Sequence, residues 1–156
     1  MSRDISKFKK PYLILDFIEK CEDKLNLKVI ITSVDRDYKE QFAYFCQGRE
    51  SFEITNNARR IVGLVPITEE QNMKKITWTM NSKHVINLDD ERKDNDWSEA
   101  FDFAIVKNEK AIWNVKADIN NDEIPDYEQC ALLGESLGLK SGMRFKNIDL
   151  VHLELV

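Results

Sequence analysis

The sequence predicts an α+β fold, a small and mostly antiparallel sheet with helices packed on it. Three observations lead there. Segments 11–26 and 125–138 carry apolar residues at helical spacing and are bounded by proline or glycine. Short β-rich runs at 27–33, 101–106, 111–115 and 149–156 are segregated from those helices. The turn-like Lys107-Asn108-Glu109-Lys110 joins two of the runs as an antiparallel hairpin.

Each element has a local reason. In the first helix, Ile14, Phe17, Ile18, Cys21 and Leu25 share one face, and Pro11 suits a first turn, where a missing N–H costs nothing. Leu27–Ser33 follows as a short strand. A second helix is expected over 37–47, with Phe42, Phe45 and Cys46 apolar and Gly48 as its stop. Residues 53–75 read as polar and helical in pieces, and Thr68-Glu69-Glu70-Gln71 has capping-box spacing. Lys75–Met80 alternates polar and apolar residues, as a half-buried strand does. Asp89–Asp96 is a charged loop. Pro125 opens a helix with Tyr127, Cys130, Ala131, Gly134 and Leu137 on one face, and Gly138 ends it. Asp149–Val156 is the last strand.

With 156 residues, 42% of them hydrophobic, the chain is expected to form one domain (residues 1–156) with a real core. Its net charge of -5 argues against nucleic-acid binding, which favours a basic stripe. No apolar run approaches the ~20 residues of a bilayer span, so no membrane insertion is expected. Met1–Lys7 lacks a signal peptide's apolar region, which points to synthesis in a cytoplasm. A monomer is expected. Cys21, Cys46 and Cys130 form no C-x-x-C pair; Cys21 and Cys130 fall on apolar helix faces and read as buried, inert thiols.

The two histidines of the chain stand where metal chemistry would use them. His84 closes Asn81-Ser82-Lys83-His84, and His152 closes Asp149-Leu150-Val151-His152. Asp102 lies between them inside the apolar run Ala100–Val106, where a carboxylate is costly to bury unless it is paired or holds a metal. Two imidazoles and one carboxylate leave the fourth tetrahedral position of zinc open for water. Asp149, three residues before His152, could take a proton from that water, which makes the pattern a hydrolase hypothesis. Glu154 would share His152's face on an extended strand and is the alternative base.

Ser82-Lys83-His84, Ala100-Phe101-Asp102-Phe103-Ala104-Ile105 and Asp149-Leu150-Val151-His152-Leu153-Glu154-Leu155 resemble the zinc motifs of one peptidase family. It is the D-alanyl-D-alanine carboxypeptidase / L-alanyl-D-glutamate endopeptidase family, with its S-x-H-x-x-G-x-A-x-D and [DE]-x-x-H patterns. Thr32-Ser33-Val34-Asp35-Arg36, then Gln41 and Gln47-Gly48-Arg49, resemble its S-G-x-R-x-x-x-x-Q…Q-G-R segment. The likeness runs from about residue 28 to 155. It implies a Hedgehog/DD-peptidase-like fold with a zinc site at the sheet, and a zinc peptidase acting on the stem peptides of bacterial peptidoglycan. The small form without a signal peptide is similar to phage endolysins that cut the L-Ala–D-Glu bond, made in the host cytoplasm and acting on the wall after release. Carried over by position, His84, Asp102 and His152 would hold zinc and Asp149 would be the general base. Arg36 would stabilise an oxyanion or meet a carboxylate, and Ser82, Gln41 and Arg49 would contact substrate.

Two positions depart from the pattern. The family places its aspartate seven residues after the histidine, a position held here by Glu91, so Glu91 rivals Asp102 as third ligand. Ser98 stands where the pattern has glycine. D-Ala-D-Ala carboxypeptidase activity is the alternative reaction, with Arg36 or Arg49 meeting the terminal carboxylate. A non-catalytic wall-binding or phage structural domain is the alternative of another class.

A second constellation lies at Asp118–Asp126. Asp118, Asn120, Asp122 and Asp126, with the Ile124 carbonyl, occupy positions 1, 3, 5, 9 and 7 of an EF-hand-type calcium loop. Glu123 replaces the usual glycine of that loop, and Gln129 its last glutamate. The other reading is a turn with acidic residues favoured by a helix dipole.

Overall fold

The first helical pattern is realised as α1, Pro11–Leu25, in a computed structural model that describes residues 3–86 and 97–156. Glu91 and the charged run 89–96 lie outside the described residues. α1 buries Ile14, Phe17 and Cys21 and ends at Asn26, whose φ of 54° is left-handed and lets its N–H reach the carbonyls of Cys21 and Glu22. The chain divides into two compact units, residues 1–35 with 97–156, and residues 36–96.

In the first unit, β1 (Lys28–Ser33), β2 (Ala100–Lys107), β3 (Lys110–Ile112), β4 (Leu139–Ser141) and β5 (His152–Leu155) form a five-stranded antiparallel sheet of order β1-β2-β5-β4, with β3 also paired to β2. This is the α+β fold with an antiparallel sheet that the sequence predicts. β1 occupies one edge of β2; β5 and β3 share the other, at opposite ends. The expected second strand of the hairpin stops at Ile112, and the expected last strand begins only at His152, after a turn. β4 and the following 3₁₀ turn, Gly142–Arg144, are not anticipated.

Side chains alternate across a strand, so β2 presents two different faces. Phe101, Phe103 and Ile105 join Val29, Ile31, Leu139, Leu153 and Leu155 in one buried cluster with Ile14, Phe17, Cys21, Tyr127 and Cys130. Those last residues come from α1 and from α5, Asp126–Ser136. Phe17 meets Phe101 and Phe103 edge-on, at ring centroids 5.8 and 5.0 Å apart. The Tyr127 hydroxyl accepts from the Ile105 N–H at 3.1 Å and donates to the Ile112 carbonyl at 2.6 Å, tying α5 to the β2–β3 pair. Cys21 and Cys130 sit with Sγ atoms 3.9 Å apart, fully buried as expected. That contact and burial push the Cys130 thiol above the ordinary thiol range. The opposite face carries Ala100, Asp102 and Ala104 of β2 and His152 and Glu154 of β5.

The second unit contains α2 (Tyr38–Cys46), α3 (Phe52–Ile61) and α4 (Glu69–Asn72). Asp37 and Ser51 cap the first two by accepting from the amides of Glu40 and Ile54, and Thr68 with Gln71 forms the capping box read from sequence. The strand expected at 75–80 does not form. Ile76 and Trp78 are half exposed, and side chains of α2 and the turn after it take the backbone carbonyls a neighbouring strand would have used. Gln41 Nε2 donates to Thr79 O at 2.8 Å, Arg49 to Thr77 O at 3.0 Å and Gln47 to Lys74 O at 3.2 Å. Gly48 has φ 79°, and a Cβ there would lie 2.6 Å from Lys75 N, so this close approach requires glycine.

Candidate metal centre

Strand register brings the first two groups together. Asp102 of β2 and His152 of β5 are direct cross-strand partners. The Asp102 Oδ1 stands 3.1 Å from His152 Nδ1, and Glu154 Oε2 stands 3.0 Å from His152 Nε2. Ala100 is the residue opposite Glu154, and its small side chain leaves the glutamate room to lie along the sheet. His152 and Glu154 are 7% and 8% exposed. Burial alone would lower the imidazole's pKa. The carboxylates of Asp102 and Glu154, with the nearby charge of Asp149, raise it instead to about 9. The Phe145 ring lies against the imidazole, 5.3 Å between centroids.

Asp149 sits on the turn that enters β5 and is exposed. Its amide donates to Gly142 O at 3.0 Å, and its own carbonyl accepts from the His152 amide at 3.3 Å. Gly142 packs directly against this turn: a Cβ there would strike Asp149 O.

His84 is held by a turn of its own unit. Ser82 Oγ accepts from the His84 amide at 3.3 Å, and Ser82 O accepts from Val85 N at 3.0 Å. Arg36 brackets the histidine through the backbone, donating to His84 O and accepting from Ile86 N, both at 2.9 Å. His84 is 2% exposed.

His84, Asp102 and His152 each offer one ligand atom, these atoms all lie within 4.8 Å of one another, and the group could hold a metal ion. Within the strand pair, His152 thus meets Asp102 at Nδ1 and Glu154 at Nε2. A carboxylate on the far nitrogen fixes the tautomer and raises the basicity of a metal-binding imidazole. Two buried imidazoles and a half-buried carboxylate are donors suited to a divalent metal ion.

The remaining sequence candidates take these places. Arg36 donates from Nη1 to Gln41 Oε1 at 3.3 Å and lies over the Tyr44 ring at 5.1 Å. Gln41 is fully buried and Arg49 donates to the carbonyls of Phe45 and Thr77, so both brace the 77–79 segment. Ser82 orders the backbone of His84. Ser98 is buried, with Oγ 2.8 Å from Val34 O and 2.7 Å from Ala100 O, and serves as a staple in the glycine's place. In the acidic loop, Asp118 accepts from the amides of Asp122 and Glu123, Asp122 from Ile124 and Asp126 from Ile119. Sequence reasoning missed the contact of Glu154 with His152, although alternation on a strand already placed both on one face. It also missed Gly142, for which the sequence carries no signal. No helix among the described residues is long and apolar enough to cross a membrane. No protein-family model matches the chain, and no curated protein matches it significantly.

Proposed function

We propose that this chain is a zinc-dependent peptidoglycan peptidase that cuts the stem peptide, at the L-Ala–D-Glu bond in the manner of an endolysin. The observation that carries the reading is the His84–Asp102–His152 group, whose ligand atoms lie within 4.8 Å of one another in the order expected from the family motifs. Zinc bound by these three side chains would supply a Lewis acid and an acidified water. The remaining work falls to the protein. Asp149, exposed and near enough to raise the His152 pKa, accepts a proton and returns it to the leaving amine. Arg36 offers a guanidinium to the developing oxyanion. Glu154 holds the His152 ring in its ligand orientation. The endolysin reading carries with it synthesis in a host cytoplasm and action on the wall after release.

Metal analysis of the purified protein, zymography on cell wall and mass spectrometry of digested peptidoglycan test this together. About one zinc per chain and new D-Glu amino termini are expected. Release of D-Ala alone would replace the endopeptidase with the carboxypeptidase. A zinc-loaded protein that binds wall without cutting it would leave the non-catalytic binding domain. Asp149→Ala should keep its zinc and lose at least ~10²-fold in turnover, whereas His152→Ala should lose zinc and turnover together. Near-normal hydrolysis by zinc-loaded Asp149→Ala would remove Asp149 from the mechanism.

A further inference from the structure

The connection from β3 into α5 holds two polar atoms that the fold leaves unanswered. Asn120 Oδ1 and Asp126 Oδ1 are buried without a hydrogen-bond partner, and they are the two such side-chain atoms among the described residues. Asp126 is 0% exposed. Its other oxygen accepts from the Ile119 amide at 2.6 Å. A plain helix start would have turned this carboxylate onto the first amides of α5. Instead α5 has Pro125 at its N-cap and no side-chain cap.

The rest of the loop is tied together by its own carboxylates. Asp118 accepts from Asp122 N at 3.1 Å and Glu123 N at 2.9 Å, and Asp122 accepts from Ile124 N at 3.0 Å. Asn121 and Glu123 take left-handed φ values of 59° and 69°, which tighten the turn without glycine. Burial first, and then the charges of Asp118 and Asp122, hold the Asp126 carboxyl above its ordinary range. Gln129 braces one acid and the neighbouring amide, donating to Asp122 Oδ2 at 2.7 Å and accepting from Asn120 Nδ2 at 3.1 Å.

Carboxylate, amide and carbonyl oxygens in this order are the donors of a hard cation, and a cation would satisfy both unpartnered oxygens at once. We propose that Asp118, Asn120, Asp122, Asp126 and the Ile124 carbonyl bind one calcium ion. The site shares no ligand with the zinc reading and does not depend on it. Gln129 in place of a bidentate glutamate puts the affinity at the weak end, with Kd about 10⁻⁴–10⁻³ M.

Calorimetric titration of calcium chloride into the full chain, with melting curves in parallel, tests the site. Heat at that Kd is expected, with a rise in Tm of about 3–6 °C at tenfold excess over Kd. Asp122→Asn, at an exposed position, should weaken binding about tenfold or more while zinc content stays the same. Asp126→Asn should abolish the calcium response and, in calcium-free buffer, melt above the wild type because a buried charge is gone. His84→Ala should keep the response, since its lost imidazole belongs to the other site. No heat and no Tm change up to about 10 mM calcium would overturn the proposal. So would unaltered binding by Asp122→Asn, or loss of the response in His84→Ala.

Discussion

His152 has a carboxylate at each ring nitrogen, and the two have different tasks. Asp102 belongs with His84 and His152 to the group that could hold a metal ion. Glu154 is outside that group and touches the ring at Nε2. Loss of such an outer partner typically weakens metal binding by about 10–100-fold. Glu154→Ala should therefore lower zinc affinity by about that factor, and Glu154→Gln should recover part of it because an acceptor remains. Competition against a chelator of known affinity reads this directly. Equal affinity in all three proteins would reduce Glu154 to packing. The residue was in view from the sequence, but only as a spare base. Alternation fixes which face a side chain takes, whereas which imidazole nitrogen it meets depends on χ angles that no spacing encodes.

At the level of elements, the 3₁₀ turn after β4 acts as a rest for the turn that carries Asp149. Gly142 donates nothing chemical; its missing Cβ is what allows Asp149 O to approach. Gly142→Ala forces a backbone shift because the atom it would strike belongs to the main chain. The expected cost is about 1–3 kcal/mol in stability, with a drop in turnover and zinc retained. Tm, zinc content and hydrolysis of the same preparation separate these effects, and unchanged turnover would show that the Asp149 turn is not positioned from here. The sequence could not announce this device. Leu139-Lys140-Ser141 is too short to show a period, and its inward Ser141 breaks the apolar pattern. The opposite failure occurs at 75–80, where alternation was real but inverted. Thr77 turns toward Gln41 while Ile76 and Trp78 are half exposed, because α2 offered amide donors rather than an apolar surface.

For the molecule as a whole, α1, α5 and the central strands were legible because long apolar periods leave few alternatives. The candidate metal group was legible for another reason: two histidines in 156 residues leave little choice of imidazole. Ligand binding to the folded state alone stabilises by mass action, about 2.7 kcal/mol at a hundredfold excess over Kd. Zinc removal should then lower Tm by roughly 5–11 °C for a chain of this size, and zinc added back should restore it. Scanning calorimetry with and without chelator checks this. A Tm indifferent to zinc would mean that the three ligands do not bind it in the folded state.

The pairing of Asp102 with His152 makes the ladder between β2 and β5 a ruler with a parity. Side chains repeat every two residues, so a slip of one would turn His152 and Glu154 into the apolar layer and Leu153 and Leu155 out of it. A slip of two would keep the core yet separate aspartate from histidine. Packing alone therefore enforces odd or even, and the Asp102–His152 contact distinguishes one even register from the next. Insertions between residues 113 and 148 leave that count untouched, whereas a single residue added or deleted within β5 would erase core and centre in one event.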